Sequence, residues 1–199
     1  MQKLKKKYMF LIIIVIIGII TGILFSNILS TEDNRLVTSK ITEYFNNLKN
    51  DIPIDYLKNL ITSLKNNLLY IGAIWILGLS IIGLLFNNFI LFFKSFVLGF
   101  SIGSIINIYL YNGLVLSFLY VFPSLLINIV VLLIMTYFAN DIGIKLFNLL
   151  FKKKEIKFSL IIKRYSKILL CLSIILVISS LIETFIMPFM IKLFSFLIK

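Results

Sequence analysis

Long runs without charge constrain this chain more than any other feature. Tyr8 to Thr31 carries no Asp, Glu, Lys or Arg, and the same holds for 66–93, for Ser95 to Asn140 and for 168–182. A helix needs roughly 20 apolar residues to cross a hydrocarbon core about 30 Å thick. A water-soluble domain would have to cover all of this apolar surface with polar groups. Here 60% of the 199 residues are hydrophobic and only 14% are charged, where ordinary soluble domains are about 45–50% apolar. The pattern therefore predicts an all-α integral membrane protein, a single bundle over 1–199. Five spans are expected, at about 8–29, 68–90, 95–111, 117–139 and 168–187. The first run is far too long for the core of a signal peptide, and no small-residue cleavage site of the A-x-A type follows it. It reads as an uncleaved anchor. The run from Ser95 to Asn140 exceeds one crossing, and Tyr111-Asn112-Gly113 is its best turn signal. A four-span arrangement, with part of this run re-entrant, is the alternative. Pro188 should stop or kink the last span.

Two segments lie between the spans. The stretch 30–66 holds five of the eight acids, Glu32, Asp33, Glu43, Asp51 and Asp55. Ile41, Phe45 and Leu48 fall at helical spacing within it, and a second short amphipathic helix is expected from Pro53, with Ile54 and Leu57 on its apolar side. The stretch 140–167 is basic and includes Lys152-Lys153-Lys154. With five spans, thirteen of the twenty bases fall on one side, counting Lys3 to Lys7, Lys94 and the basic loop. That side is expected to be cytoplasmic, with the N-terminus, and 30–66 outside. The net charge of +12 then points to membrane orientation and to anionic lipid at Lys152, Lys153 and Lys154, and not to nucleic acid.

The chemistry open to the chain is narrow. It has no His, and its one cysteine is Cys171. That removes His-based triads, Cys/His catalysis and Cys/His metal sites. No phosphate loop and no glycine-rich dinucleotide motif occurs. No catalytic residue, cofactor or metal is expected.

What remains are small and polar residues inside the spans. Gly18 and Gly22 stand four apart, as do Ser95, Gly99 and Gly103, with Asn107 continuing that stripe; Gly72, Gly78 and Gly83 lie in the second span. Small residues at this spacing let another backbone approach closely. They serve either packing within the bundle or docking of a partner or second copy. Asn107, Asn112 and Asn128 are polar groups in or near spans, suited to interhelical hydrogen bonds or to lining a path. Pro123 falls in the first turns of the fourth span. Glu183 is the only acid inside an expected span, which makes it a functional candidate. It either reaches interfacial water, pairs with a base such as Lys192, or forms a polar notch with the carbonyl that the Pro188 ring leaves unpaired at Thr184.

The ordered glycine, asparagine, proline and glutamate positions also carry a resemblance. Tyr70-Ile71-Gly72-Ala73-Ile74-Trp75-Ile76-Leu77-Gly78 leads through Ser80-Ile81-Ile82-Gly83 to the stretch from Phe93 to Gly103. Tyr111-Asn112-Gly113, Val121-Phe122-Pro123 and Leu181-Ile182-Glu183-Thr184-Phe185-Ile186-Met187-Pro188 follow. In this order and spacing the chain resembles the stage II sporulation protein M family of endospore-forming bacteria, over essentially its whole length. The resemblance implies a role in engulfment, in the mother-cell septal membrane. It also implies partnership with stage II sporulation proteins D and P, which degrade peptidoglycan, and a non-catalytic anchoring role beside them. A small membrane transporter or channel, with Glu183 and the intramembrane Asn residues along a path, is the alternative.

Overall fold

The computed structural model describes residues 2–50, 53, 55–121, 124–152 and 158–194. Within them the chain forms α1 (Gln2–Ser26), α2 (Thr31–Lys49), α3 (Tyr56–Gly78), α4 (Gly83–Val121), α5 (Ser124–Lys152), α6 (Phe158–Leu181) and α7 (Met187–Leu193), with no strand. Five segments are long and apolar enough to cross a membrane: Lys6–Ser26, Tyr56–Gly78, Gly83–Val121, Ser124–Leu150 and Ser159–Leu193. The protein is an all-α, multi-pass membrane bundle.

Several boundaries differ from the sequence expectation. The stretch 68–90 contains a turn. The Leu79 and Ser80 N–H groups bond back to Ile76 and Leu77, and the Gly83 N–H to Ser80. The turn is apolar, so hydropathy passes over it. Only its flanking glycines mark it: a Cβ on Gly83 would strike the Leu77 carbonyl, and one on Gly78 would lie 2.8 Å from the Ala139 Cβ. α3 therefore occupies 56–78 and begins within the segment expected to lie outside. Lys94, counted above with the loop bases, is instead carried about 16 Å into α4. There its ammonium sits 4.4 Å from the centre of the Tyr70 ring.

α4 is not one straight rod. Leu110 has φ 50° and ψ −122°, a backbone region that L-residues enter only under strain. Beyond it the arm 111–121 folds back on 83–109, so closely that a Cβ on Gly113 would be 2.7 Å from the Ile105 oxygen. The chain thus reverses beside Tyr111-Asn112-Gly113, and the fourth long apolar helix is α5, which starts at Ser124 and runs on to Lys152; 117–121, expected to open that span, belong to the arm of α4.

Three buried clusters hold the bundle, the smallest of them Leu98, Val121 and Ile129. Ile74, Leu91, Leu132, Met135, Tyr165 and Leu176 join α3, α4, α5 and α6. Phe45, Leu48, Ile105, Leu116, Met187 and Ile191 fasten α2 and α7 to the reversal in α4. α2 is a built element. Ser30 caps it by accepting the Asp33 N–H at 3.2 Å, and Glu32 and Asp33 suit its N-terminal dipole. At the opposite end of the molecule Asp141 accepts from Lys7 at 3.0 Å and pairs with Lys145 at 2.7 Å. Asn140 donates to Asn88 at 2.8 Å and Tyr8 stacks on Tyr137, so α1, α4 and α5 are tied together there.

Candidate functional site

The site is assembled around a defect in the last span. Pro188 stands at the start of α7 and has no N–H to give; its ring also crowds the carbonyl four residues back, that of Thr184. The chain answers by widening the turn before it. Ile182–Ile186 is π-helical, and the Met187 N–H reaches the Ile182 carbonyl five residues back. Such single π turns commonly mark functional positions. Glu183 sits in this turn.

Glu183 turns toward α3, not to free lipid. Ser63 donates its hydroxyl proton to Glu183 Oε2 at 2.7 Å. The Ser63 and Ser180 oxygens lie 3.1 Å apart, and Asn67 donates to Ser180 at 3.0 Å. Asn67 and Ser180 are buried, so this is a desolvated polar network across α3 and the α6 end. Thr184, also buried, returns its proton to the Ser180 carbonyl at 2.8 Å. Ser179 donates to the Ser124 carbonyl at 3.0 Å, which brings the start of α5 to the same level. Glu183 is near enough to Lys94 to attract it electrostatically, although the two form no direct ion pair.

Above Glu183 lies a polar cavity of about 240 Å³, walled by Asn59, Thr62, Ser63 and Asn66 of α3, Tyr44 of α2, Tyr120 of α4, and Thr184, Met187 and Pro188. Tyr44 and Tyr120 meet edge to face at 6.4 Å. Burial pushes the Tyr44 phenol above the ordinary tyrosine range, and the nearby Tyr120 and Glu183 add to this. The phenol stays protonated at any physiological pH and acts as a hydrogen-bonding wall. The arrangement can hold a polar or cationic group against the single carboxylate among its described lining residues, Glu183.

The remaining candidates are distributed differently. Gly18 and Gly22 of α1 face Ser95, Gly99 and Gly103 of α4. A Cβ on Gly18 would be 2.8 Å from both the Phe92 oxygen and the Ser95 Cβ, and one on Gly99 would strike the Ile19 carbonyl. Asn107 continues the seam by donating to the Ser26 carbonyl at 3.4 Å and to its hydroxyl oxygen at 3.3 Å. The two small-residue stripes close on each other inside one chain. Gly72 is the exception, with nothing within 4 Å of a Cβ placed there. Asn112 lies in the reversal of α4, away from the α1 seam. Asn128 is buried, and neither of its amide atoms meets a partner among the described residues. Pro123, Lys153 and Lys154 fall outside the described residues, and the side chain of Lys152 is likewise not described.

Reading spans one at a time misses Ser63, Asn67, Ser180 and Lys94. A signal was present: Ser63 and Asn67 are four apart on α3, while Ser179, Ser180, Glu183 and Thr184 share one face of the last span. Polar stripes on two spans are expected to meet, because hydrocarbon offers them no partner.

Comparison with known proteins agrees with the sequence pattern. The profile of a family described as stage II sporulation protein M matches residues 11–188. No curated protein and no solved structure gives a significant match.

Proposed function

The chain belongs to the stage II sporulation protein M family, and from that premise we propose that it is a non-catalytic scaffold that holds peptidoglycan-degrading partners at the septal membrane during engulfment. Stage II sporulation proteins D and P are the proposed partners, and the mother-cell septal membrane the proposed location. The family is not one of known enzymes. In the proposed orientation Lys7 and Lys163 face the cytoplasm, and the α2 end faces the wall.

The observation that carries this reading is the construction of that outer end. α2 is capped, pinned through Phe45 and Leu48, and turns its other face outward, with Glu32, Leu36, Lys40 and Glu43 exposed. Leu36 is 62% exposed although it lies on a polar helix. A rigid outward face beside a polar notch suits a docking platform. Because the glycine seam is filled from within, docking is assigned to α2 and the notch and not to that seam.

The test is recovery of the partners from sporulating cells with a tagged chain. Paired Leu36→Asp and Glu43→Lys substitutions should lower recovery by about tenfold, the scale of a lost interface anchor, while membrane insertion is unchanged. Undiminished recovery would remove α2 from the interface.

A second reading, a small transporter or channel, is favoured by the buried amides of Asn87 and Asn128, which have no partner among the described residues. A solute flux in liposomes that disappears in Glu183→Gln would support it.

A further inference from the structure

A second cavity, of about 190 Å³, adjoins the Glu183 notch. The two share Tyr44, Asn59 and Pro188 as wall residues, so they form one groove under α2. Its floor is a single face of α3, from Asp55 through Asn59 and Ser63 to Asn66, about 16 Å at the helical rise. One carboxylate lies toward each end: Asp55 at the open end and Glu183 opposite Ser63, separated by about 12 Å along α3.

The charge of this groove runs against that of the chain. The protein carries +12, yet among the described residues no Lys or Arg lines either cavity. Lys94 lies deeper, over Tyr70. Asp55 uses one oxygen to accept the Lys58 backbone N–H at 3.0 Å, and Glu183 accepts one hydrogen bond from the Ser63 hydroxyl. A carboxylate has about four acceptor positions, so both keep capacity for a further donor. Between them the walls include the amides of Asn47, Asn59 and Asn66 and the rings of Tyr44 and Tyr120, beside apolar Leu48 and Met187; the amides accept hydrogen bonds and the rings offer faces to a cation.

Resting on the scaffold reading above, we propose that this groove receives a short extended segment of a partner chain, with one Lys or Arg at Glu183 and a second at Asp55. An extended chain advances about 3.3 Å per residue, so the two bases should be about four residues apart. Charge complementarity selects the segment, and the depth of the notch selects a long basic side chain.

The test uses the full chain in phosphatidylcholine nanodiscs and a fluorescent peptide, acetyl-Lys-Ser-Gly-Ser-Lys-amide. Binding is expected by anisotropy, with affinity lowered about tenfold by Glu183→Gln, the scale of one charge-assisted hydrogen bond. Asp55→Asn, which keeps a helix-capping side chain, should weaken it less. Asn59→Asp should tighten it, and this variant keeps the test valid if Glu183→Gln fails to fold. Equal binding of the peptide with both lysines acetylated, or no change in Asn59→Asp, would overturn the proposal. So would loss of peptide binding when phosphatidylethanolamine replaces phosphatidylcholine, which would give the site to a lipid amine. Peptide binding without recovery of partners in cells would keep the groove and remove the scaffold. Recovery of partners that is insensitive to Glu183→Gln and Asn59→Asp would keep the scaffold and remove the groove.

Discussion

Two glycines of the same membrane protein face opposite tests. A side chain at Gly99 would run into the Ile19 backbone of α1, whereas one at Gly72 would meet nothing within 4 Å. The first contact is with main chain, which cannot rotate away. Gly99→Leu should therefore cost at least about 1–3 kcal/mol, the usual range for overpacking, and Gly72→Leu should stay within about 0.5 kcal/mol. Thermal unfolding of the two variants in one detergent checks this, and equal midpoints would contradict the α1–α4 seam. The same scale shows why Lys94 misleads a reader of sequence. A lone lysine between apolar runs looks like a loop. Here its charge is placed over the Tyr70 ring, so the helix passes straight through it. That compensation comes from a residue far away in sequence, and no local window contains it.

Among the elements, the helices themselves were legible because apolar length alone dictates them. Their ends were less so. The turn at 79–82 has neither charge nor proline, and the reversal at Leu110 rests on one strained residue. Leu110→Gly should relieve that strain and raise stability by about 1 kcal/mol, or leave it level if the added freedom of the unfolded chain offsets the gain. Destabilisation by more than that would mean the Leu110 side chain holds the reversal. The π turn at 182–186 has a clearer sequence cause in Pro188. Replacing it by alanine supplies the missing donor and removes the ring, and the turn can close to the α-helical pattern. The helix before it would then rotate by about 100° relative to α7, the angle of one residue, and Glu183 would leave Ser63. Paired Ser63→Cys and Ser180→Cys substitutions, at hydroxyl oxygens 3.1 Å apart, in a Cys171→Ser background should form a disulfide readily with Pro188 present. In Pro188→Ala the same pair should crosslink several-fold more slowly. Equal rates would show that the turn is set by its packing on α3 and α5 and not by the proline.

For the whole molecule, the decisive quantity is which groups each end offers to water. One end gathers Lys6, Lys7, Asp141 and Lys145, and the bases Lys163 and Arg164 of α6. The other carries capped α2, the Asp55 end of the groove and Glu183. Five crossings put these ends on opposite sides, and the larger number of bases is the ground on which the Lys7 end is proposed to face the cytoplasm. Moving Lys94 into α4 lowers the number of bases counted at that end only from thirteen to twelve, against seven at the other, so the proposed orientation does not hinge on it. The arrangement predicts a three-way labelling pattern in intact cells, in a Cys171→Ser background. Leu36→Cys should react with a membrane-impermeant maleimide from outside. Lys163→Cys should react only after the membrane is opened. Lys94→Cys should resist in both conditions, because its position is enclosed by α3 and the bundle. Labelling of Lys163→Cys in intact cells would invert the topology and with it the face on which wall enzymes could dock. Labelling of Lys94→Cys from outside alone would instead leave the topology standing and reveal a water path that reaches past Glu183, which is the result the transporter reading requires.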